Sequence, residues 1–500
     1  MGTGNQKWGF THLDALKTQQ KSVGITFRFS NFERIKQQDQ SPMTRSLTNP
    51  FRSASTSFFV FACLLLVLFS CQEKKDYSKA ITDGYYFHEA QKQVTEVIIH
   101  DIFSPPVATR IYSYSSLAAY EVVAATDPTN YAPLMGQLNG SEAIAVPVPA
   151  TIYPPLAALA AYYQVSTALI FSEEKMTAHR DSIFGLLQEK GIPQDILDAS
   201  VAYGQAVGDQ VKAYAKKDNY HQSRSFPKYS VSSEPGTWQP TPPAYMEAVE
   251  PHWNKIRPFV LDSAAQFKVN PPPAFSTEPN SEFYKRAKEV YDIQKQATKE
   301  QTDIAMFWDC NPYKMNVKGH VMFATKKITP GGHWMGIASI ASAAAGKDWK
   351  GTVEALTLTA ISLNEAFIAC WDEKYRSKLI RPETYINQHI DENWVPLLQT
   401  PPFPEHTSGH SVASTAASYT LAQLFGDQLH IVDSTEVAYG LSVREFDSFS
   451  QAASEAAISR FYGGIHYMTA IEEGSKQGKQ VGELIWKKIS TRPDKAAGKK

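Results

Sequence analysis

Val353, Leu356, Ala360, Leu363, Phe367 and Cys370 recur at steps of three and four, and the next step lands on Lys374. That spacing marks one helical face turned toward a core. A lysine continuing such a face is costly, since burying an ammonium without a partner costs several kcal/mol. Two readings remain open at this point. Either an anion waits in the core, or the lysine sits at a fraying helix end and reaches water with its tip. The first constrains the fold far more, because remote segments would have to bring further cations to the same place.

Segments able to do so are present. Six residues separate Lys374 from Arg381-Pro382. The stretch from Thr400 to Ser418, TPPFPEHTSGHSVASTAAS, opens with prolines that cannot continue a helix. It reaches Ser408, Gly409 and His410 ahead of a run of small residues at helical spacing. Free backbone N–H groups at a helix mouth form an anion site, although the same Ser-Gly turn also reads as an ordinary N-cap. A histidine beside that mouth is expected to titrate near neutral pH and to exchange a proton with the anion. Downstream, Ser459-Arg460 and His466 bracket Phe461-Tyr462-Gly463-Gly464-Ile465, whose two glycines permit a turn bringing a cation and an imidazole together. Lysine, two arginines, a hydroxyl, a glycine amide and two histidines suit a tetrahedral oxyanion.

These three blocks (KxxxxxxRP, SGH and SRxxxxxH) resemble, in order and spacing, the shared site of vanadium-dependent haloperoxidases and type 2 phosphatidic acid phosphatases. The resemblance implies an all-α, multi-helix fold of the vanadium haloperoxidase type. It implies that Lys374, Arg381, Ser408, Gly409 and Arg460 hold the equatorial oxygens of vanadate or phosphate. His466 would be the vanadium ligand, or the nucleophile of a phosphatase, and His410 the acid–base group. Lys374 would polarise peroxide for attack by halide, giving hypohalous acid. Trp371 and Phe403 resemble aromatic residues lining the halide pocket of the chloroperoxidases, and they read equally well as core aromatics. Two positions depart from the pattern. Thr407 stands where proline usually precedes Ser-Gly-His, and Ala470 where an aspartate often orients the terminal histidine. Glu473, on the same helical face as His466, is a candidate substitute for that aspartate and reads equally as a solvated helix glutamate.

Around this site the chain divides into stretches of distinct character. Residues 1–42 lack an apolar period and read as an extension before a start at Met43. Phe58 to Phe69 is a twelve-residue apolar run behind Arg45 and Arg52, too short to span a bilayer and suited to a signal-peptide core. Its end, Leu68-Phe69-Ser70-Cys71, resembles a bacterial lipobox. This implies a signal peptide over 43–70, lipidation of Cys71 and an exported, membrane-anchored protein; the alternative is a generic secretion signal. A polar tether over 71–84 leads to helical patterns within 85–224, near 85–102, 105–127, 152–171, 173–190 and 194–217.

Between 225 and 279 the helical period is lost. Nine of the thirty prolines fall between Pro235 and Pro273, interleaved with Trp238, Tyr245, Trp253 and Phe259. Aromatics in that density predict an ordered covering segment rather than a disordered linker. A second helical bundle follows over 280–490, with a tail at 491–500. Within it, Glu282 to Trp308 reads as one long amphipathic helix, and Thr329-Pro330-Gly331-Gly332-His333-Trp334 opens another, with His333 unassigned.

Composition excludes several alternatives. A formal net charge of −1 without a basic tract argues against nucleic-acid binding. Four cysteines with no Cys-x-x-Cys pair argue against a disulfide framework or a zinc site, and Cys310 with Cys370 would be left in the mature chain. The expectation is a haloperoxidase using vanadate, hydrogen peroxide, a halide and a small organic acceptor, touching membrane only through a lipid anchor. A soluble acid phosphatase with a phosphohistidine intermediate, or a non-catalytic oxyanion-binding lipoprotein, are the alternatives.

Overall fold

The computed structural model describes residues 76–318 and 320–494. The extension, the signal segment and Cys71 lie outside the described residues. The described residues form fourteen α-helices, three short 3-10 turns and two small hairpins, joined by coil.

The first five helices are α1 (Tyr85–His100), α2 (Pro105–Thr126), α3 (Pro154–Ala168), α4 (Glu173–Glu189) and α5 (Gln194–Ala215). Their starts follow local chemistry: α2 and α3 carry proline in the first turn, and Ser104 caps α2 through the Val107 N–H. A single turn, α6 (Tyr220–Ser223), leads into the proline-rich segment. Helices resume with α7 (Glu282–Lys295) and α8 (Lys299–Phe307). Here the expected single helix is two. Thr298 forms a reciprocal capping box with Gln301, starting a new helix where a continuous one was read.

Beyond the hairpin β1–β2 (Lys314–Lys318, Val321–Thr325) come α9 (Pro330–Ala344), α10 (Trp349–Ser377), α11 (Pro382–His389) and α12 (Gly409–Phe425). Hairpin β3–β4 (Ile431–Asp433, Arg444–Phe446) precedes α13 (Phe449–Tyr462) and α14 (Met468–Lys488).

Helix α10 is the axis of the fold. It packs against α2, α9, α12 and α14, and every residue from Thr352 to Lys374 is buried. The one-sided apolar stripe was therefore too narrow a reading, because α10 has neighbours all round. Among the described residues it is the one helix long and apolar enough to cross a membrane, and that whole apolar stretch is enclosed by protein. Its polar side chains are used internally: Thr357 donates to the Ser116 carbonyl at 3.0 Å, while Ser113 of α2 donates to the Ala360 carbonyl at 2.8 Å. Helix α12 lies close on α14 because Gly474 and Gly478 present no side chain there. A β-carbon on Gly478 would stand 2.3 Å from the Val412 carbonyl oxygen.

The segment over 225–279 is ordered coil laid against these helices. Glu365, buried on α10, accepts the backbone N–H groups of Phe259, Val260 and Leu261 at 2.7–2.9 Å. Val249 accepts from the Trp371 indole and the Tyr375 hydroxyl, and Phe267 from Gln477. Glu365→Ala leaves three buried donors without an acceptor, so a stability loss of about 3 kcal/mol or more is expected in denaturant titration. An unchanged midpoint would show that this anchorage contributes nothing.

Candidate active site, a buried oxyanion cage

The last turn of α10 delivers Lys374 into the core with no exposed surface. Its ammonium donates to the carbonyls of Pro404 and Glu405 at 3.0 Å and of Thr407 at 2.5 Å. The reading in which the lysine reaches water is thus ruled out, and the ammonium anchors the loop leading into α12. Burial pulls its pKa down to about 7, with the Arg381 charge acting the same way and Glu405 opposing.

Arg381 occupies the N-cap position of α11, just before Pro382 starts that helix, and its side chain makes no bond to the helix mouth. Its Nε donates to the Phe403 carbonyl and its Nη1 to the Ile465 carbonyl, both at 2.9 Å. Nη1 also meets His466 Nε2 at 3.1 Å, whereas Nη2 is buried without a hydrogen-bond partner. Burial lowers this guanidinium to about 10.

Ser408 is the N-cap of α12 and accepts from the Ser411 N–H at 3.3 Å. Its own N–H donates to the carbonyl of Ala470, which ties the α12 mouth to the start of α14. One nitrogen of His410, in the first turn of α12, engages the Trp308 backbone. The other, Nε2, has no partner. Titration near neutrality is not what the structure gives. Burial first, then the charge of Arg460, hold His410 well below its ordinary value.

Arg460 lies in the last turn of α13, where Nε donates to Ser459 Oγ at 2.9 Å and Nη2 to the Ala305 carbonyl at 3.2 Å. The chain then reverses through Gly463 and Gly464, the latter with φ +77°, a conformation that side-chain-bearing residues rarely adopt. The Ile465 N–H closes onto the Arg460 carbonyl at 3.2 Å, and His466 follows.

The ring of His466 is fixed from both sides. A guanidinium cannot accept a hydrogen bond, so His466 Nε2 must offer its lone pair to Arg381. The proton is then on Nδ1, which donates to Glu405 Oε1 at 2.7 Å. The same oxygen accepts the Tyr467 N–H at 2.9 Å. Glu405 has no exposed surface. Burial pushes its pKa up to about 7 against the pull of Arg381 and Lys374. Glu405 is the carboxylate that Ala470 cannot supply. Glu473, the candidate read from helical spacing, is instead engaged by Asn270 and Lys476 and pins the covering segment.

Gly409, His410, Arg460 and His466 line one small cavity of about 40 Å³, walled by Phe367, Trp371 and Phe403. Trp371 and Phe403 meet at a centroid distance of 4.9 Å, and the Lys374 ammonium lies 5.1 Å from the Phe403 ring. Lys374, Arg381 and Ser408 stand behind this wall, joined to it by the bonds above. Cys310, at the cavity edge, and Cys370, in the core, are both free thiols. A tetrahedral oxyanion fits this donor set. Arg381 Nη2 and His410 Nε2 are orphaned polar atoms, the α12 mouth adds backbone donors, and His466 Nε2 is held as a lone-pair donor.

The fold and the cavity together define a helical-bundle protein built around a buried anion cage. A family model described as the VCPO second helical-bundle domain matches residues 354–494. The crystal structure of the first bacterial vanadium-dependent iodoperoxidase is similar at 53% sequence identity and a TM-score of 0.78, over 82% of this chain and 98% of that one. The chain belongs to the vanadium-dependent haloperoxidase family. Holo- and apo-type bacterial vanadium-dependent chloroperoxidases share the fold at 18% identity. Their TM-scores are 0.60 and 0.59, over 78% and 77% of this chain and 93% and 94% of theirs. No curated protein matches the chain.

Proposed function

We propose that the chain oxidises halide with hydrogen peroxide at a vanadate held in this cavity, with iodide or bromide as substrate. The observation that carries the reading is the pair of unpartnered polar atoms, the Arg381 Nη2 donor and His410 Nε2, beside the fixed lone pair of His466. Similarity to the iodoperoxidase over nearly its whole length supports it. When bound, vanadate supplies a Lewis-acidic centre that activates peroxide toward halide. His466 would be its protein ligand, while Arg381, Arg460, Lys374, Ser408 and the Gly409 amide would surround its oxygens. His410, kept neutral by burial, can accept or return a proton at Nε2. Trp371 and Phe403 offer aromatic edges to a weakly hydrated halide and limit water.

Vanadate titration of the purified protein with peroxide, each halide and a halogenation dye tests this. Activity dependent on both vanadate and peroxide is expected. Phosphate-ester hydrolysis inhibited by vanadate would favour a phosphatase instead, and inertness in both assays a binding protein.

The pH dependence has a defined sign. A bound oxyanion favours charged Lys374, so the lysine pKa is higher with the anion than without it. Vanadate affinity should be full below about 7 and fall by about tenfold per pH unit above that, until the bound-state pKa is reached. Lys374→Met should flatten this limb, and the difference between the two profiles separates the lysine from the anion's own protonation. Parallel profiles would remove Lys374 from the binding step.

Export with a lipid anchor on Cys71 remains part of the proposal, as do bundles over 85–224 and 280–490 joined by 225–279. Loss of detergent-phase partitioning in Cys71→Ser would support the anchor, and unchanged partitioning would refute it.

A further inference from the structure

Some distance along the cavity wall, three side chains from remote segments bring their donor atoms together. Cys310 follows α8, His333 sits in the first turn of α9, and Glu436 follows β3. All three are buried. Cys310 Sγ stands 3.5 Å from His333 Nδ1, His333 Nδ1 3.3 Å from Glu436 Oε1, and Cys310 Sγ 3.9 Å from Glu436 Oε1. A tetrahedral zinc ion with its usual bond lengths separates sulfur from nitrogen or oxygen ligands by roughly 3.5 Å, and nitrogen from oxygen by roughly 3.4 Å. The triangle observed is close to one face of that tetrahedron.

The opposite side of the imidazole is arranged to match. His333 Nε2 meets Asp433 Oδ2 at 2.7 Å, and Asp433 is itself held by the Thr435 N–H and hydroxyl. A carboxylate on the far nitrogen is the usual support of a metal-bound histidine, since it fixes the tautomer and raises ligand basicity. A protonated His333 bridging two carboxylates is the competing description. It would draw Nδ1 and Glu436 to the length of a charge-assisted hydrogen bond, about 2.7–2.9 Å. The Asp433 side has that length and the Glu436 side stands off. Trp308 stacks on the imidazole at 4.4 Å and closes its face.

We propose that Cys310, His333 and Glu436 bind a divalent cation of the zinc class, with Asp433 as the residue positioning His333. Mixed sulfur, nitrogen and oxygen donors select zinc over calcium or magnesium. Cysteine spacing argued against a zinc site, and it could not reveal this one, because each ligand comes from a different segment. The ion would clamp the turn after α8 to α9 and to the loop after β3. That turn also carries the Trp308 backbone engaged by His410 and lines the oxyanion cavity with Cys310 and Asn311. The site does not depend on vanadate.

The test is titration of the chelator-treated full chain with Co2+ alone, in the absence of vanadate. A thiolate-to-cobalt charge-transfer band in the near ultraviolet should saturate at about one equivalent per chain and be displaced by Zn2+. Cys310→Ser should lose the band while keeping the wild-type circular dichroism. Asp433→Asn keeps all three ligands and should weaken Co2+ binding by about 10–100-fold. Absence of the band in the wild-type protein, or its survival in Cys310→Ser, would overturn the proposal and leave a His333–Asp433 ion pair.

Discussion

His466→Ala should lower halide oxidation by about a thousandfold or more and abolish measurable vanadate retention in equilibrium dialysis. The magnitude follows from what the imidazole does in this fold. His466 Nε2 is held as a lone-pair donor by Arg381 at 3.1 Å, and Nδ1–H is fixed on Glu405 at 2.7 Å. The arginines beside it only donate and cannot replace that lone pair, and His410 offers its own at Nε2 from a different element of the cavity. The substitution also leaves a void at a buried position and removes one partner of Arg381. Far-UV circular dichroism and a melting curve are therefore needed beside the assay. A folded variant that binds vanadate like the wild-type protein would remove His466 from the site and the proposed chemistry with it.

The sequence exposed the cage more readily than its supports, and the difference is physical. Lys374, Arg381, Ser408, Gly409, His410, Arg460 and His466 stand in short blocks whose internal spacing can be read along the chain. The five early helices were legible within a few residues because prolines and capping residues mark their starts. What stayed hidden depends on pairings across the fold. Glu405 lies within the very stretch that carries Ser-Gly-His, yet nothing local shows that it reaches His466, 61 residues on. Helical spacing pointed to Glu473 instead, which faces the covering segment. His410 was read as titrating near neutrality because its neighbours in sequence suggest an open helix mouth. The walls that lower its pKa arrive from α13 and the turn after α8. The break at Thr298 was a different kind of miss. Its capping box is visible in the letters, and the continuing amphipathic period on both sides masked it.

Glu405 is where this hidden layer can be tested with the second large effect. Removing the carboxylate in Glu405→Ala leaves His466 Nδ1–H and the Tyr467 N–H unpaired in a region without water access. Vanadate affinity should fall by about 100-fold, the upper end for losing the group that orients a metal-bound histidine. Glu405→Gln separates positioning from charge. Its amide oxygen can still accept both hydrogen bonds, so a role limited to structure predicts recovery close to wild type. The charge has a further effect, because Glu405 raises the pKa of Lys374, which burial has already brought to about 7. Without that charge the lysine loses its proton at lower pH. The pH above which vanadate affinity declines should therefore move downward in Glu405→Gln, even where the affinity at acidic pH is retained. A pH profile superimposable on the wild-type one would show that Glu405 acts through its hydrogen bonds alone and that its charge does not set the protonation of Lys374.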